Sequence, residues 1–383
     1  MLSMDVYRAF NGSMMLHCES ILVIQYMNAL AGVIFHFIGG FASGSFYVPY
    51  KKVKGWSWEA MWILGGLFSW IIVPPIAAWI TIPNFVEIIQ GAGASTIGYT
   101  FLFGLLWGIG GLTYGLGVRY LGVSLGSSVI LGLSMVFGSL MPAIYYFFNK
   151  ASGKHGIDYF FTTNAGICVM VGLLVCVLGI YLCGRAGMLK EKSLTSLSAE
   201  AKVDYNFGLG IVVAIVSGVL SACFNYGIEA GKPMADVANT LWKGANPNNG
   251  EFLYQNNVTY VVILWGGFTT NVVWCLYLLA KNKTFSDYGK ASAPLGKNVL
   301  LCALGGTTWY LQFFFYGMGE SRLGNGASSW ILHMAFIILI ANSWGVILKE
   351  WKGVNRSTYG TVIAGIITII LSICIVGFAR TLE

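Results

Sequence analysis

The sequence predicts an all-α polytopic membrane protein with ten transmembrane helices arranged in two inverted five-helix repeats. Three observations predict this class: ten apolar stretches of roughly twenty residues, Lys and Arg concentrated on every second connection, and an internal repeat. A helix rises about 1.5 Å per residue, so each stretch can cross a hydrocarbon core of about 30 Å. Because the stretches leave no room for a soluble domain, we expect the function to be carried out inside the bilayer.

The predicted spans follow one another along the whole chain after its first 26 residues. They are Ala29–Pro49, Ala60–Ile80, Thr100–Val118, Ser124–Phe148, Thr163–Cys183, Phe207–Ile228, Val258–Ala280, Asn298–Met318, Ala327–Leu348 and Tyr359–Ala379. Pro74 and Pro75 interrupt backbone hydrogen bonding in the second span and predict a kink there. In the third span, Gly104-x3-Gly108 and Gly111-x3-Gly115 predict close packing against neighbouring helices.

The distribution of positive charge predicts the orientation of the chain. The connections after the first, third, fifth, seventh and ninth spans hold fifteen of the 22 Lys and Arg residues. Cytoplasmic loops carry the excess of these residues, so the five connections are predicted inside, with both termini and Ala230–Asn257 outside. The net charge of +7 follows from this bias and indicates neither a nucleic acid nor an anionic substrate.

Cysteine spacing and the N-terminal segment add little to the assignment of function. The eight cysteines show no CxxC motif and no Cys/His ligand spacing, so neither a disulfide framework nor a metal site is predicted. Residues 1–26 fit neither a signal peptide nor a transmembrane span. We expect either that the natural chain starts at Met27 or that this segment is a mobile tail.

A repeated sequence pattern relates the two halves of the chain. The pattern W-x6-Y-G-x-G-x3-L-G-x4-S begins at Trp107 and again at Trp309, and a weaker alignment pairs Gly32 with Gly210. Both alignments pair each span with the span five later. Because five is odd, the second copy enters the membrane from the opposite side.

This arrangement predicts the domain organisation and a class of function. The first repeat covers residues 27–183, a cytoplasmic linker covers 184–206, and the second repeat covers 207–383. Inverted repeats recur in secondary transporters, where the substrate binds near mid-membrane between the halves. A duplicated structural scaffold is the less favoured interpretation.

Two histidines are the candidate proton-carrying groups. No Asp, Glu, Lys or Arg lies well within a predicted span, and of the four histidines only His36 and His333 do. The helical rise places both about 10 Å below the outer surface. Imidazole is the side chain suited to proton exchange near neutral pH. The alternative is a neutral histidine that is hydrogen-bonded between helices.

Aromatic and polar side chains in the later spans suggest a sugar site. Trp309, Gln312 and Tyr316 share one helix face, and Ser329 and Trp330 lie on the face that carries His333. Trp107, which corresponds to Trp309 in the first repeat, and Asn271 complete the candidate set. Aromatic faces with a few amide and hydroxyl groups suit a small neutral polyol. The alternative is an aromatic stripe that serves only packing.

Five runs of sequence carry a resemblance to a known family. They are Phe46–Trp62, Arg119–Gly122, Trp309–Tyr316, Trp330–Met334 and Leu348–Trp351. These runs resemble the L-rhamnose–proton symporter family of the drug/metabolite transporter superfamily. The resemblance implies ten helices in two inverted halves and uptake of L-rhamnose with protons across a bacterial inner membrane; the charge distribution then predicts periplasmic termini. No cofactor and no metal are expected; the expected partners are the sugar, the proton and the lipid bilayer, for a monomer or homodimer.

Three alternatives remain open. The chain has Gly111 where better-known members of that family have Asn, and Glu320–Ser328 is shorter than their link between helices 8 and 9, so a related deoxyhexose is an alternative substrate. A facilitator or exporter of another small neutral metabolite is the second alternative. An intramembrane enzyme using His36 and His333 as acid and base is the third, but no carboxylate lies at their depth and no HExxH motif occurs.

Overall fold

A computed structural model describes residues 26–121, 123–150, 154–195, 206–247, 252–347 and 351–382. All regular secondary structure in these ranges is helical, and ten of the helices are long and apolar enough to cross a membrane. The fold class predicted from the sequence is therefore confirmed at this level. The predicted N-terminal extension, apart from its last residue, lies outside the described residues.

We number the ten membrane helices α1 to α10. They are α1 (Tyr26–Tyr50), α2 (Trp58–Thr81), α3 (Ala94–Leu121), α4 (Val123–Phe148), α5 (Asn164–Thr195), α6 (Phe207–Ala230), α7 (Asn257–Asn282), α8 (Leu295–Leu323), α9 (Gly326–Ile347) and α10 (Arg356–Ala379). Helix α5 continues past Cys183 to Thr195, so the start of the predicted linker is helical. We call the end with the connections after α2, α4, α6 and α8 the outer end, and the other the inner end.

Four connections carry short helices of their own, one of them the single turn Tyr159–Thr162 between α4 and α5. Phe85–Gly91 and Lys232–Ala245 pack against each other at the outer end, and the 3-10 helix Thr284–Gly289 lies at the inner end. The helix Lys232–Ala245 falls in the Asn-rich stretch between α6 and α7. It places charged side chains over the outer ends of α6 and α8.

Helix α2 contains a π-helical turn just before its two prolines. Pro74 and Pro75 have no N–H group, so the carbonyl groups one turn earlier lose their helical partners. The chain widens into the π segment Leu67–Ile72, and the Val73 N–H donates to the Phe68 carbonyl oxygen, five residues back. This wider turn carries Trp70, which is buried in the centre of the bundle.

Helix packing repeats after five helices. Helix α3 packs against α6 and α7, and α8 packs against α1 and α2. Likewise α4 packs against α5 and α6, and α9 against α10 and α1, while α5 and α10 pack against each other. If five is added to each helix number, with α1 following α10, the neighbours of α3 and α4 become the neighbours of α8 and α9.

Of the two Gly-x3-Gly pairs predicted to pack in α3, only Gly104 and Gly108 do so. A Cβ atom added at Gly104 would overlap the Ile263 carbonyl oxygen of α7, and one added at Gly108 would lie 2.9 Å from the Gly267 carbonyl oxygen. The backbones of α3 and α7 are therefore in direct contact. A Cβ atom added at Gly111 or Gly115 would meet no atom of another helix within 4 Å among the described residues.

Candidate functional site

Hydrogen bonds between two connections hold the inner end closed. The backbone N–H of Lys54 donates to Asn298 Oδ1 at 3.2 Å, and Asn298 Nδ2 donates back to the Lys54 carbonyl oxygen at 2.7 Å. The Ser57 N–H donates to Asp287 Oδ2 at 2.6 Å. We call Lys54, Ser57, Asp287 and Asn298 the inner latch; it ties the α1–α2 connection to the start of α8 and to the connection before it.

The ring of Tyr50 fills the space behind the inner latch. It lies between α2 and α8, where a Cβ atom at Gly65 would overlap its hydroxyl group and one at Gly305 would lie 2.6 Å from its ring. Both glycines therefore make room for the ring, which is buried. Together with the inner latch, Tyr50 fills the space between the inner end and the middle of the bundle, where the gap lined by Tyr50 and Trp70 measures about 10 Å³.

An aromatic cluster occupies the middle of the bundle. Trp107 and Trp309, the pair predicted from the internal repeat, have ring centroids 5.7 Å apart. The ring centroid of Trp309 lies 5.7 Å from that of Trp70 and 5.2 Å from that of Phe313. The space beside Trp70 and Trp309 measures only about 10 Å³, close to the minimum for one water molecule. This gap is too small for a sugar.

The two predicted proton-carrying histidines lie together next to this cluster. The ring centroids of His36 and His333 are 6.2 Å apart, and Tyr316 contacts both rings at 5.3 and 5.1 Å. Both imidazoles are buried, and none of their nitrogens has a hydrogen-bond partner among the described residues. Gly319 makes room for His36, because a Cβ atom there would lie 2.7 Å from His36 Nε2. We call His36 and His333 the histidine pair.

Two of the predicted sugar-binding amides are bonded to protein groups. Gln312 Nε2 donates to the Trp309 carbonyl oxygen of its own helix at 2.9 Å. Asn271 Oδ1 accepts from Trp62 Nε1 at 3.0 Å, and Asn271 Nδ2 donates to the Gly267 carbonyl oxygen at 2.9 Å. The two amides therefore have separate partners, Asn271 on α2 and α7 and Gln312 on α8.

The candidates at the start of α9 pack near the histidine pair. Trp330 Nε1 donates to the Ser134 carbonyl oxygen at 3.0 Å, and the ring lies 6.4 Å from that of His333. Ser329 is buried, and its hydroxyl group has no hydrogen-bond partner within the described ranges. Tyr316 donates to Asn225 Oδ1 at 3.4 Å, which connects this region to α6.

A polar cavity of about 250 Å³ opens at the outer end. It lies between the ends of α4, α6 and α8, the start of α9, the α4–α5 connection and the helix Lys232–Ala245. Its polar lining includes Ser139, Tyr146, Lys154, Asn225, Glu229, Lys232, Gln255, Glu320, Ser321 and Asn325. We call it the outer cavity.

One carboxylate of the outer cavity is held by α4 and the connection after it. Glu229 Oε2 accepts from the Tyr146 hydroxyl group at 2.9 Å and forms an ion pair with Lys154. Both bonds go to the same oxygen. This arrangement fixes the carboxylate at the end of α6 and leaves Oε1 with no hydrogen bond from the described chain.

The second carboxylate is bound more loosely. Glu320 Oε2 accepts from Asn256 Nδ2 at 2.7 Å, but Glu320 Oε1 lies 3.7 Å from Lys232 Nζ, beyond hydrogen-bonding distance. Burial lowers the pKa of Lys232, but the carboxylates of Glu320, Glu229 and Asp236 outweigh burial and raise that pKa above its ordinary value. The lysine is therefore charged at neutral pH, and the cavity contains two cation–carboxylate pairs.

Sequence reasoning did not identify Trp70 or Asn225. Trp70 contacts both Trp107 and Trp309, and Asn225 joins the outer cavity to Tyr316. Asn225, like Asn271, is an amide within an apolar span, but it lies near the outer end of that span rather than in its middle. Trp70 has no comparable signal, because its position depends on the π turn.

Comparisons with known proteins agree with one another. The family model described as L-rhamnose-proton symport protein (RhaT) matches residues 26–381. An L-rhamnose-proton symporter of Enterobacter sp. (strain 638) is 39% identical over 351 residues, which cover 90% of this chain and 96% of the relative. Proteins of the same name from Escherichia coli (strain 55989 / EAEC) and Cronobacter sakazakii (strain ATCC BAA-894) are each 38% identical with the same coverage.

Proposed function

The chain belongs to the L-rhamnose-proton symporter family, and we propose that it imports L-rhamnose together with protons by alternating access. It is a multi-pass bacterial membrane protein with ten membrane helices in its described part. The matched relatives are named as transporters, which argues against the intramembrane enzyme. A facilitator or exporter on the same fold is not favoured, because the relatives are named as proton symporters.

The observation that carries this proposal is the difference between the two ends of the bundle. The outer cavity reaches down to Asn225 and Ser139, whereas Tyr50 and the inner latch close the inner end. Alternating access requires a state that is open on one side and closed on the other. The cavity at one end and the hydrogen-bonded latch at the other support this proposal.

The repeat architecture gives the conformational change a physical basis. In this proposal, residues 27–183 and 207–383 form the two inverted halves of the protein, and residues 184–206 link them on the cytoplasmic side. The recurrence of helix packing after five helices supports the duplication. Both termini are periplasmic in this arrangement, as the charge distribution favours.

Import requires the sugar to reach the middle of the bundle, where aromatic rings can stack on its C–H faces. Because the aromatic cluster is closely packed here, the rings must separate as one half moves against the other. Gln312 and Asn271 can then exchange their protein partners for sugar hydroxyl groups. The proposed sugar-binding residues are Trp107, Asn271, Trp309, Gln312, Tyr316, Ser329 and Trp330.

The histidine pair provides a route for proton coupling. Adding a proton to His36 or His333 creates a charge in a buried region, which is unfavourable unless a polar partner reaches it. Tyr316 contacts both rings, and it also bonds Asn225 at the floor of the outer cavity. Protonation therefore favours a rearrangement that brings polar groups or the sugar to the pair.

An uptake assay with labelled L-rhamnose tests the proposal. In cells or proteoliposomes containing the protein, the sugar should accumulate above its external concentration, and a proton uncoupler should abolish the accumulation. Competing sugars report the specificity for deoxyhexoses. Uptake that only equilibrates, with or without the uncoupler, would show a facilitator; no uptake of L-rhamnose would refute the proposed substrate.

A further inference from the structure

We propose that the outer cavity is itself a binding site for a monosaccharide, separate from the aromatic cluster, which takes the sugar before the bundle closes over it. The inference rests on the proposed function, because it assumes that a neutral sugar is the substrate. It adds a second set of residues, mainly Asn225, Glu229, Gln255 and Glu320, that recognise the sugar's hydroxyl groups.

The size and position of the outer cavity fit one sugar ring. Its volume of about 250 Å³ equals that of roughly eight water molecules in the liquid. Small-molecule sites are concave and carry a few well-placed polar groups. The gap beside Trp70 and Trp309, in contrast, measures only about 10 Å³. The outer cavity can therefore take a sugar without prior movement of the helices.

The charges of the outer cavity suit a neutral ligand with many hydroxyl groups. Glu229 is paired with Lys154, and Glu320 lies near Lys232. An anionic ligand would compete with these carboxylates for the lysines, and the remaining lining lysine, Lys243, is exposed to solvent. Paired charges instead offer both donors and acceptors at short range with little net charge.

Each carboxylate retains an oxygen that can accept from the sugar. Glu229 uses only Oε2 for Tyr146 and Lys154, and Glu320 Oε1 is 3.7 Å from its lysine. An ionised carboxylate can accept about four hydrogen bonds, and those bonds are stronger than bonds between neutral groups. Two neighbouring hydroxyl groups of a sugar ring can therefore bind one carboxylate each, or share one.

Asn225 links a sugar in the outer cavity to the histidine pair. Its side chain lines the cavity, donates to the Gly138 carbonyl oxygen at 2.8 Å and accepts from Tyr316 at 3.4 Å. Tyr316 in turn contacts both histidine rings. A sugar that bonds to Asn225 therefore lies one side chain away from the groups proposed to carry the proton.

Protection of an introduced cysteine from a membrane-impermeant thiol reagent tests the inference. Ala327 lines the outer cavity and is partly exposed, so Ala327→Cys should react with the reagent from the outer side. With L-rhamnose at about ten times its Kd, mass action predicts that labelling slows roughly tenfold. Ser95→Cys is the matched control, since Ser95 is exposed at the outer end but does not line the cavity.

A second substitution separates the outer cavity from the aromatic cluster. In a Trp309→Ala background, protection of Ala327→Cys should persist at the same sugar concentration, whereas Glu320→Gln should weaken it. Ser321→Cys provides a second reporter in the same cavity if Ala327→Cys does not fold. Rhamnose uptake by the parent protein without any protection of either cysteine would overturn this inference alone. Protection that is present in the parent background but absent in the Trp309→Ala background would also overturn this inference. Absence of L-rhamnose uptake by the parent protein would instead refute the proposed function.

Discussion

His36 of α1 and His333 of α9 face each other in the middle of the bundle, with ring centroids 6.2 Å apart. The two residues are almost three hundred positions apart in the chain, and α1 and α9 bring them together because Gly40 and Gly44 allow the two helices to touch. Neither ring has a hydrogen-bond partner among the described residues, and both contact Tyr316. This geometry makes the pair the first target for experiments on proton coupling.

Replacing the coupling histidine should separate sugar movement from proton movement. His36→Gln and His333→Gln keep a polar side chain of similar length but cannot carry a proton. We expect the variant at the coupling position to retain exchange of labelled for unlabelled L-rhamnose and to lose accumulation against a gradient. Exchange by the same variant is the internal control for folding. If both variants accumulate sugar as the parent does, coupling lies elsewhere, with Glu59 and Glu320 as the next candidates.

Gly319→Ala should impair transport by displacing His36. A Cβ atom at Gly319 would lie 2.7 Å from His36 Nε2, so the ring must leave its observed position. The matched control is Gly115→Ala, because Gly115 is also inside a membrane helix but a Cβ atom there would meet no atom of another helix within 4 Å in the described structure. Initial rates of proton-driven uptake measure the effect. Equal rates for the two variants would contradict a requirement for the observed position of His36.

Gln312→Ala should weaken sugar binding. If its amide bonds the sugar once the aromatic cluster opens, losing that partner costs about 1–3 kcal/mol, or roughly 5- to 150-fold in affinity. Leu304→Ala on the same helix is the control, since Leu304 is exposed on the outside of the bundle. Calorimetry on the purified protein, together with the KM for uptake, measures the change. An unchanged affinity would remove Gln312 from the proposed set of sugar-binding residues.

Asp287→Ala should loosen the inner latch. Asp287 accepts the Ser57 N–H and pairs with Lys290, and hydrogen bonds to charged groups contribute about 1.5–3 kcal/mol. Their loss should shift the equilibrium towards opening of the inner end by roughly 10- to 150-fold. Reactivity of Ala293→Cys, which is buried beside Gly55, reports this opening in inside-out vesicles. No increase in its labelling would show that other contacts hold the inner end closed.

The latch should not depend on pH in the physiological range. Burial raises the pKa of Asp287, but hydrogen bonds from Lys290 and Ser57 outweigh it, so the pKa lies below its ordinary value of 3.8. The latch is therefore complete above that value and is lost only as the pH falls through the lower pKa of the folded state. Asp287→Ala should leave the shape of the transport pH profile between about pH 5 and 8 unchanged. A profile displaced by this substitution would contradict the assignment.

The orientation can be tested with two single cysteines. Thr240 is exposed on the connecting helix of the outer end, and Lys192 is exposed near the end of α5 at the inner end. In intact cells without an outer-membrane barrier, an impermeant thiol reagent should label Thr240→Cys and spare Lys192→Cys. The reverse result would invert the predicted topology.

Properties that depend on a single stretch of chain were determined by the sequence alone. Each of the ten predicted spans corresponds to one of the ten helices, because crossing a bilayer requires only length and apolar composition. The recurrence of one pattern at Trp107 and Trp309 also selected two rings that are in contact. His36 and His333 were selected because an ionisable group at membrane depth stands out against an apolar background.

Only the tertiary structure decided how these residues are partnered. Asn271 bonds to Trp62, and Gln312 bonds to its own helix, so amides with the same signal in the sequence have different surroundings. The outer cavity assembles Glu229, Asn225 and Glu320 from helices far apart in the chain, together with the helix that follows α6. Hydrogen bonds and cavities depend on which helices meet and at what rotation. Apolar length and charge bias do not specify that rotation, because every face of a membrane helix can be apolar.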